Sequence, residues 1–366
     1  MFKNLILALL IAILGLIFYT AIGLFDNFTK TKSSFLSINT GDIQATTLLD
    51  NKDVGKTPLQ LENLAEGTYE LILTIPEEST RSAFFKDPVW KVTLSLAPSA
   101  LTSVTREFGP SSVYSAGEIL SFANGEGISI VSEPKSATVA LDGRGIGDTP
   151  ISISTEPGVH KLLLSMEGYF SREIVVNVEG KKLLIVEAKL AINPLINPIL
   201  LEKGNVYLYQ LNSLNPKVIG DSEAWASAIW FFQNKLEGAP KFDLLVDSLG
   251  NEFLFDQNII NTKVKKGTPI TLGYLSPNEG KEETSEAKAK INSIKNRYER
   301  ALPKIQILST SVGFLNVRSG PGTSFAKIDQ VSPGQKFPLL QEKPGWYKIK
   351  LPSKEGWINS QFAKKL

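Results

Sequence analysis

The pattern of hydrophobic and polar positions changes character several times along the chain. It begins with an unbroken apolar run, Leu5 to Phe25, 21 residues without a charge. As a helix such a run is about 30 Å long, the thickness of a bilayer's hydrocarbon core. Its polar side chains, Tyr19 and Thr20, sit near one end, where an interfacial tyrosine belongs. The run predicts a transmembrane signal anchor over 4–25, with Leu5–Phe25 in the cell membrane. A cleaved signal peptide is the competing reading. It would need a shorter apolar core and a small-x-small cleavage site, and neither is present. Lys3 on one side and Lys30 and Lys32 on the other leave the orientation undecided.

Period-two alternation follows, and it occurs twice. Ala45–Leu59 aligns without a gap on Ala137–Ile151: Asp50-Asn51 falls on Asp142-Gly143, Gly55 on Gly147, and Thr57-Pro58 on Thr149-Pro150. Each copy continues through a glycine (Gly67, Gly158) into a strong strand, Tyr69–Ile75 and His160–Ser165. Asp142-Gly143 suits the two positive-φ positions of a type I′ hairpin, with Asp50-Asn51 the next best pair. Gly55 and Gly147 predict a bulge or tight bend, and the following prolines confine those stretches to an edge or turn. Short strands at this spacing predict small β-sandwiches over 35–110 and 127–190.

On these residues the two copies resemble the PEGA domain. The second has Pro134-Lys-Ser-Ala137 at the family's name-giving tetrapeptide, then Leu141-Asp-Gly143, Gly147-Asp-Thr-Pro150, Gly158 and Gly168-Tyr169. The first keeps Ala45, Gly55, Thr57-Pro58 and Gly67 but lacks the motif's proline and the Gly-Tyr pair. The resemblance implies extracytoplasmic β-sandwich modules of prokaryotic envelope proteins, with no known catalysis.

From 195 to 275 the pattern mixes periods. Asn205–Leu211 and the pair Phe242–Asp247 and Glu252–Asp256 read as strands. Between them Asp221 is a suitable N-cap for a helix carrying Trp225, Ala228, Ile229, Phe232 and Leu236. Trp230 and Phe231 widen its apolar arc, which marks them either as core or as a contact for an envelope-protein partner. Residues 276–303 turn strongly charged and read as a tether. Its second half has helical spacing at Ala287, Ile291, Ile294 and Tyr298, with docking left open.

The last segment, 304–366, holds Phe314-Leu-Asn-Val-Arg-Ser-Gly-Pro-Gly-Thr-Ser-Phe325, then Gly345-Trp-Tyr-Lys-Ile349 and Gly356-Trp-Ile358. Leu315 and Val317 alternate with Asn316 and Arg318 as a half-buried strand, Gly320-Pro-Gly322 makes a turn, and the two Gly-Trp pairs open strands whose aromatics would close a small barrel. This string is similar to the bacterial SH3 (SH3b) domain, whose members in many proteins bind peptidoglycan beside cell-wall hydrolases. The resemblance implies a ligand groove around Arg318, Ser319, Trp346, Tyr347 and Trp357.

Composition sharpens the picture at one end. Lys304–Leu366 carries ten Lys/Arg against three Asp/Glu, a formal +7, while the whole chain is only +2. A cationic terminal segment favours an anionic partner: peptidoglycan or an anionic wall polymer. With no cysteine, thiol catalysis and disulfides are excluded. A single histidine, His160, cannot make a zinc site of the amidase kind. Ser324-Phe-Ala-Lys327 matches S-x-x-K without the accompanying motifs and lies inside the SH3b-like segment. Asp243, Asp247, Glu252 and Asp256 form the one carboxylate cluster, and their spacing fits no EF-hand loop.

The expected fold is therefore mainly β and multidomain. It comprises a transmembrane helix, two PEGA-like sandwiches, a mixed α/β module, a tether and an SH3-like β-barrel. The expected function is non-enzymatic: a single-pass, extracytoplasmic envelope protein presenting a wall-binding head, with no catalytic residue, cofactor, metal or nucleic acid. The alternatives are a partner subunit contacting another envelope protein through Trp230 and Phe231, and a wall hydrolase with its catalytic residues in 195–275.

Overall fold

A computed structural model describes residues 33–76, 85–213, 215–236, 238–277 and 282–366. The predicted anchor, 4–25, lies outside them, and among the described residues no helix is long and apolar enough to cross a membrane. The chain divides into two units at Asn193.

The first unit holds both repeats. Copy one contributes β1 (Ser34–Asn39), β2 (Thr46–Leu49), β3 (Lys52–Lys56), β4 (Leu59–Leu64), β5 (Gly67–Thr74), β6 (Val89–Leu96) and β7 (Leu101–Glu107). After β8 (Ala116–Asn124) come the strands of copy two: β9 (Ile128–Glu133), β10 (Thr138–Leu141), β11 (Arg144–Asp148), β12 (Ile151–Ile153), β13 (Gly158–Ser165), β14 (Arg172–Val178) and β15 (Lys182–Lys189). The β2–β3 and β10–β11 hairpins turn where the sequence places them. Both central residues have positive φ, +49° and +62° at Asp50-Asn51 and +48° and +79° at Asp142-Gly143. The registers slip opposite Gly55 and Gly147, the expected bulges, whose φ values of +119° and +129° favour glycine.

The two copies are not separate beads. Strands β3-β2-β5-β6 and β11-β10-β13-β14 form one four-stranded sheet in each copy, but the opposing strands fuse into a single seven-stranded sheet, β12-β9-β15-β8-β7-β1-β4. Its centre is β8, which falls between the two predicted sandwiches. It pairs antiparallel with β7 of copy one and β15 of copy two. Cross-strand partners share a face of a sheet. The row Ile38–Val104–Ile119–Glu187–Val131 therefore lies on one face and Leu120–Val186–Ile130 on the other. Ile38 and Val104 are buried in copy one, whereas Val186 and Ile130 belong to the core of copy two. Each copy thus covers the opposite face of the shared sheet.

The second unit opens with an α/β module. Its elements are β16 (Ile199–Glu202), β17 (Val206–Asn212), α1 (Pro216–Ile219), α2 (Ser222–Phe232), β18 (Leu244–Asp247), β19 (Glu252–Leu254), α3 (Ile259–Lys266), β20 (Ile270–Ser276) and α4 (Ser285–Ala301). The sheet order is β16-β17-β20-β18-β19, parallel at its centre, where helical crossovers cover both faces. The Asp221 carboxylate caps α2 by accepting the Ala224 N–H at 3.1 Å.

The predicted tether, 276–303, is a docked helix over Ser285–Ala301. Thr284 caps α4 by accepting the Ala287 N–H at 3.2 Å, and Ala287, Ile291, Ile294 and Tyr298 join Leu208, Leu244, Val246 and Leu272 in one buried cluster. The charged residues occupy the other side of this helix: its apolar stripe is narrow, but the sheet leaves a matching face to cover.

The remaining strands are β21 (Lys304–Ile307), β22 (Leu315–Arg318), β23 (Lys327–Val331), β24 (Lys336–Lys343), β25 (Trp346–Lys350), β26 (Glu355–Asn359) and β27 (Ala363–Lys365). They surround a core of Ile305, Ile307, Leu315, Val317, Val331, Leu339, Ile349, Leu351 and Ile358.

Candidate functional site

Alternation along β22, β25 and β26 divides the predicted ligand residues between two faces. Leu315, Val317, Ile349 and Ile358 point to the core, so Arg318, Lys348 and Trp357 point away from it. Register places these three in one row: Arg318 stands opposite Trp357, and Trp357 opposite Lys348. Trp346, two positions before Lys348, shares that face. The two tryptophans therefore do not close the barrel, as the sequence suggested. Tyr347 does so from the other side, packed against the core cluster under the Lys365 ammonium at 5.6 Å. It is separated from Trp346 by the sheet itself.

Trp357 is 7% exposed although it faces outward, and the Lys343 ammonium lies 5.6 Å over its ring. Trp346 is half-buried. Arg318 has one structural duty: its Nη1 donates to the Phe325 carbonyl at 2.8 Å, bracing the turn that follows β22. The Ser319 N–H donates to the Ala326 carbonyl at 2.9 Å across the same turn, leaving the Ser319 residue exposed.

That turn explains the glycines differently from the sequence reading. Neither Gly320 nor Gly322 has positive φ. Instead, a Cβ on Gly320 would lie 2.3 Å from Cδ1 of Phe325, so glycine is needed for the ring to lie flat on the backbone. Phe325 is nevertheless 45% exposed. It is an accessible aromatic the sequence reading passed over, in plain view as the last residue of the motif string.

The segment's positive charge is partly spent internally. Lys348 pairs with Glu355 at 2.6 Å, Lys354 with Asp329 at 3.1 Å, Lys365 with Glu342 at 2.6 Å and Lys350 with Glu299 of α4 at 3.3 Å. Among the described ion pairs none includes Lys304, Lys327, Lys336 or Lys364, so these cations remain to attract anions through solvent.

The other candidates fare differently. Trp230 is 8% exposed, and its indole N–H donates to the Phe242 carbonyl at 3.1 Å, which makes it core and removes it as a partner contact. Phe231 is half-buried, edge-on to Phe232 and beneath the Lys235 ammonium. The four carboxylates of the module are dispersed into local bonds. Asp243 accepts the Thr271 N–H and pairs with Lys263, both at 2.8 Å. Asp247 accepts the backbone N–H groups of Leu249 and Asn251. Glu252 pairs with Arg297, and Asp256 accepts the Asn258 N–H. His160 bridges the Asp142 carboxylate and the Glu156 carbonyl on a hairpin.

Comparison with known proteins matches this architecture. The PEGA domain model matches residues 33–96 and 126–192, and the bacterial SH3 domain model matches 313–364. A stretch of 47 residues is 45% identical to a Bacillus subtilis (strain 168) protein named as a putative N-acetylmuramoyl-L-alanine amidase, YrvJ. That match takes in 13% of this chain and 9% of the relative, so it likens one short stretch and no more. The chain is a tandem PEGA-domain protein that carries a C-terminal bacterial SH3 domain.

Proposed function

We propose that this is a non-enzymatic envelope protein, held at the cell membrane by Leu5–Phe25, that binds the cell wall through its bacterial SH3 domain. The observation carrying this reading is the SH3 match over 313–364, the stretch where Arg318, Trp357 and Trp346 gather on one face of the sheet. A face that combines the half-buried Trp346, lysines and a backbone-braced arginine suits the carboxylates and sugar rings of peptidoglycan or an anionic polymer attached to it. Anchoring supplies the rest of the mechanism. A binder confined to a membrane meets the wall at high effective concentration, so a weak head suffices.

Cosedimentation of the detergent-solubilised full chain with purified sacculi tests the proposal. Retention of the wild type, weakened several-fold by Trp346→Ala, is the expected result. No enrichment over a charge-matched control protein rejects wall binding. A protein extracted from membranes by an alkaline wash would reject the anchor. A zymogram clearing zone from the purified chain would reject the non-enzymatic assignment.

A further inference from the structure

Where the two PEGA copies join, the structure holds a cavity of about 300 Å³, lined among others by Trp90, Arg106, Glu133, Glu187 and Lys189. That volume is at the lower end of small-molecule sites. Its position follows from the shared sheet. Arg106, Gly117, Lys189 and Glu133 form one cross-strand row, on the face that copy one covers and copy two leaves open. Trp90 of β6 lines the cavity beside Arg106.

Arg106 is the anomaly. It is 4% exposed, its Nε has no hydrogen-bond partner, and none of the described ion pairs within 4 Å includes it. Its guanidinium lies 5.0 Å from the centre of the Trp90 ring and 5.6 Å from that of Phe108. Burial pulls its pKa down to about 10, against the opposing pull of Glu133 and Asp87, so it remains a cation at neutral pH. A buried guanidinium without hydrogen bonds is costly.

The fold does not require that cost. Val104 pairs with Ile38 in copy one as Val186 pairs with Ile130 in copy two, so the position matching Arg106, two residues on, is Ala188. Ala188 is also 4% exposed, within the apolar core cluster of its copy. The same framework accepts a methyl group there, and copy one has placed an unsatisfied cation in it.

We propose that this junction is a binding site for a small monocarboxylate, whose two oxygens complete the hydrogen bonds that Arg106 lacks. The other lining charges set the class further. Lys189 is already paired with Glu133 at 2.7 Å and Glu118 with Arg172, which leaves Glu187 as an acidic group facing the cavity. A dianion such as phosphate meets that repulsion. A zwitterion, an α-amino acid or a short peptide ending in a free carboxylate, places its ammonium towards Glu187 instead.

Tryptophan fluorescence of the full chain, titrated with alanyl-alanine, its methyl ester, L-alanine and inorganic phosphate, tests this. Saturable binding of alanyl-alanine is expected, at least tenfold weaker for the ester and for phosphate and lost in Arg106→Met. L-alanine binding as tightly as the dipeptide identifies a free amino acid as the source, and tighter dipeptide binding identifies a peptide terminus; both support the site. No saturable response to either carboxylate at about 10 mM overturns it, as does phosphate binding equally well. Undiminished binding in Arg106→Met also refutes it. An Arg106→Met melting temperature lower by more than about 5 °C would mark Arg106 as a structural brace and refute it too.

Discussion

Thr57 and Thr149 occupy one structural position in two copies of a fold. Each is buried, and each hydroxyl accepts a backbone N–H, from Ala45 at 2.9 Å and from Ala137 at 3.1 Å. Each also bonds a second hydroxyl beside or within the shared sheet: Thr40, the residue after β1, in copy one and Ser132 of β9 in copy two. The repeated Thr-Pro is therefore a stitch between the two layers of each sandwich. Replacing Thr149 by valine keeps the shape but strands the Ala137 N–H, a loss of about 1–3 kcal/mol. Denaturant unfolding should show this loss, and a change below about 0.5 kcal/mol would remove the stitch from the account.

His160, the chain's one histidine, gives a second prediction. Its Nδ1 lies 2.7 Å from the Asp142 carboxylate, which raises the histidine's pKa above 6.5, helped by the Glu156 carbonyl. The same hydrogen bond, with a second from the Lys161 N–H, lowers that of Asp142. A raised histidine pKa adds stability that is complete below about 6.5 and lost as pH rises through the folded value. The lowered aspartate pKa adds stability that is lost as pH falls through its own folded value. The pair thus contributes most between the two. The Cε1–H NMR resonance of the lone imidazole should titrate above 6.5 in the wild type and at a lower pH in Asp142→Asn; an unchanged midpoint would dismiss the pair.

Gly320→Ala tests the aromatic turn. Its new methyl group would occupy the space of the Phe325 ring, which is 45% exposed and would have to turn outward into solvent. The expected result is a barrel that melts within a few degrees of the wild type but sediments several-fold less with sacculi, as Phe325→Ala should. Wild-type sedimentation by both variants would place the wall contact elsewhere on the domain.

Ile294→Ala separates a docked helix from a tether. Ile294 is fully buried between α4 and the sheet, so truncation should cost about 2–5 kcal/mol. In a flexible linker it would cost nothing measurable.

What could be read from the sequence was local. Asp142-Gly143, Gly147 and the Asp221 cap each fix their own conformation, and each appears where the residues place it. What could not be read needed a distant neighbour. The nine residues of β8 become the sheet's centre only because β7 and β15 flank them. Period two put Trp346 and Tyr347 on opposite faces, but which face met the core depended on Ile358 and Val317 from other strands. In α4 seven charged residues outnumber the four apolar positions of the stripe and concealed it, since it matters only once a sheet lies beneath it. Arg106 was invisible for the same reason, since only the register with copy two shows that an alanine serves in its place.

The central position of β8 also governs what can be taken from this chain. Eight of its positions pair with β15 and five with β7, so severing the chain on either side of it strips one repeat of a flanking strand. The orphaned half would present a raw row of amides and carbonyls, the surface through which strands recruit strangers. The structural building block here is the doublet, and a lone repeat cut from it should self-associate instead of standing as a monomer.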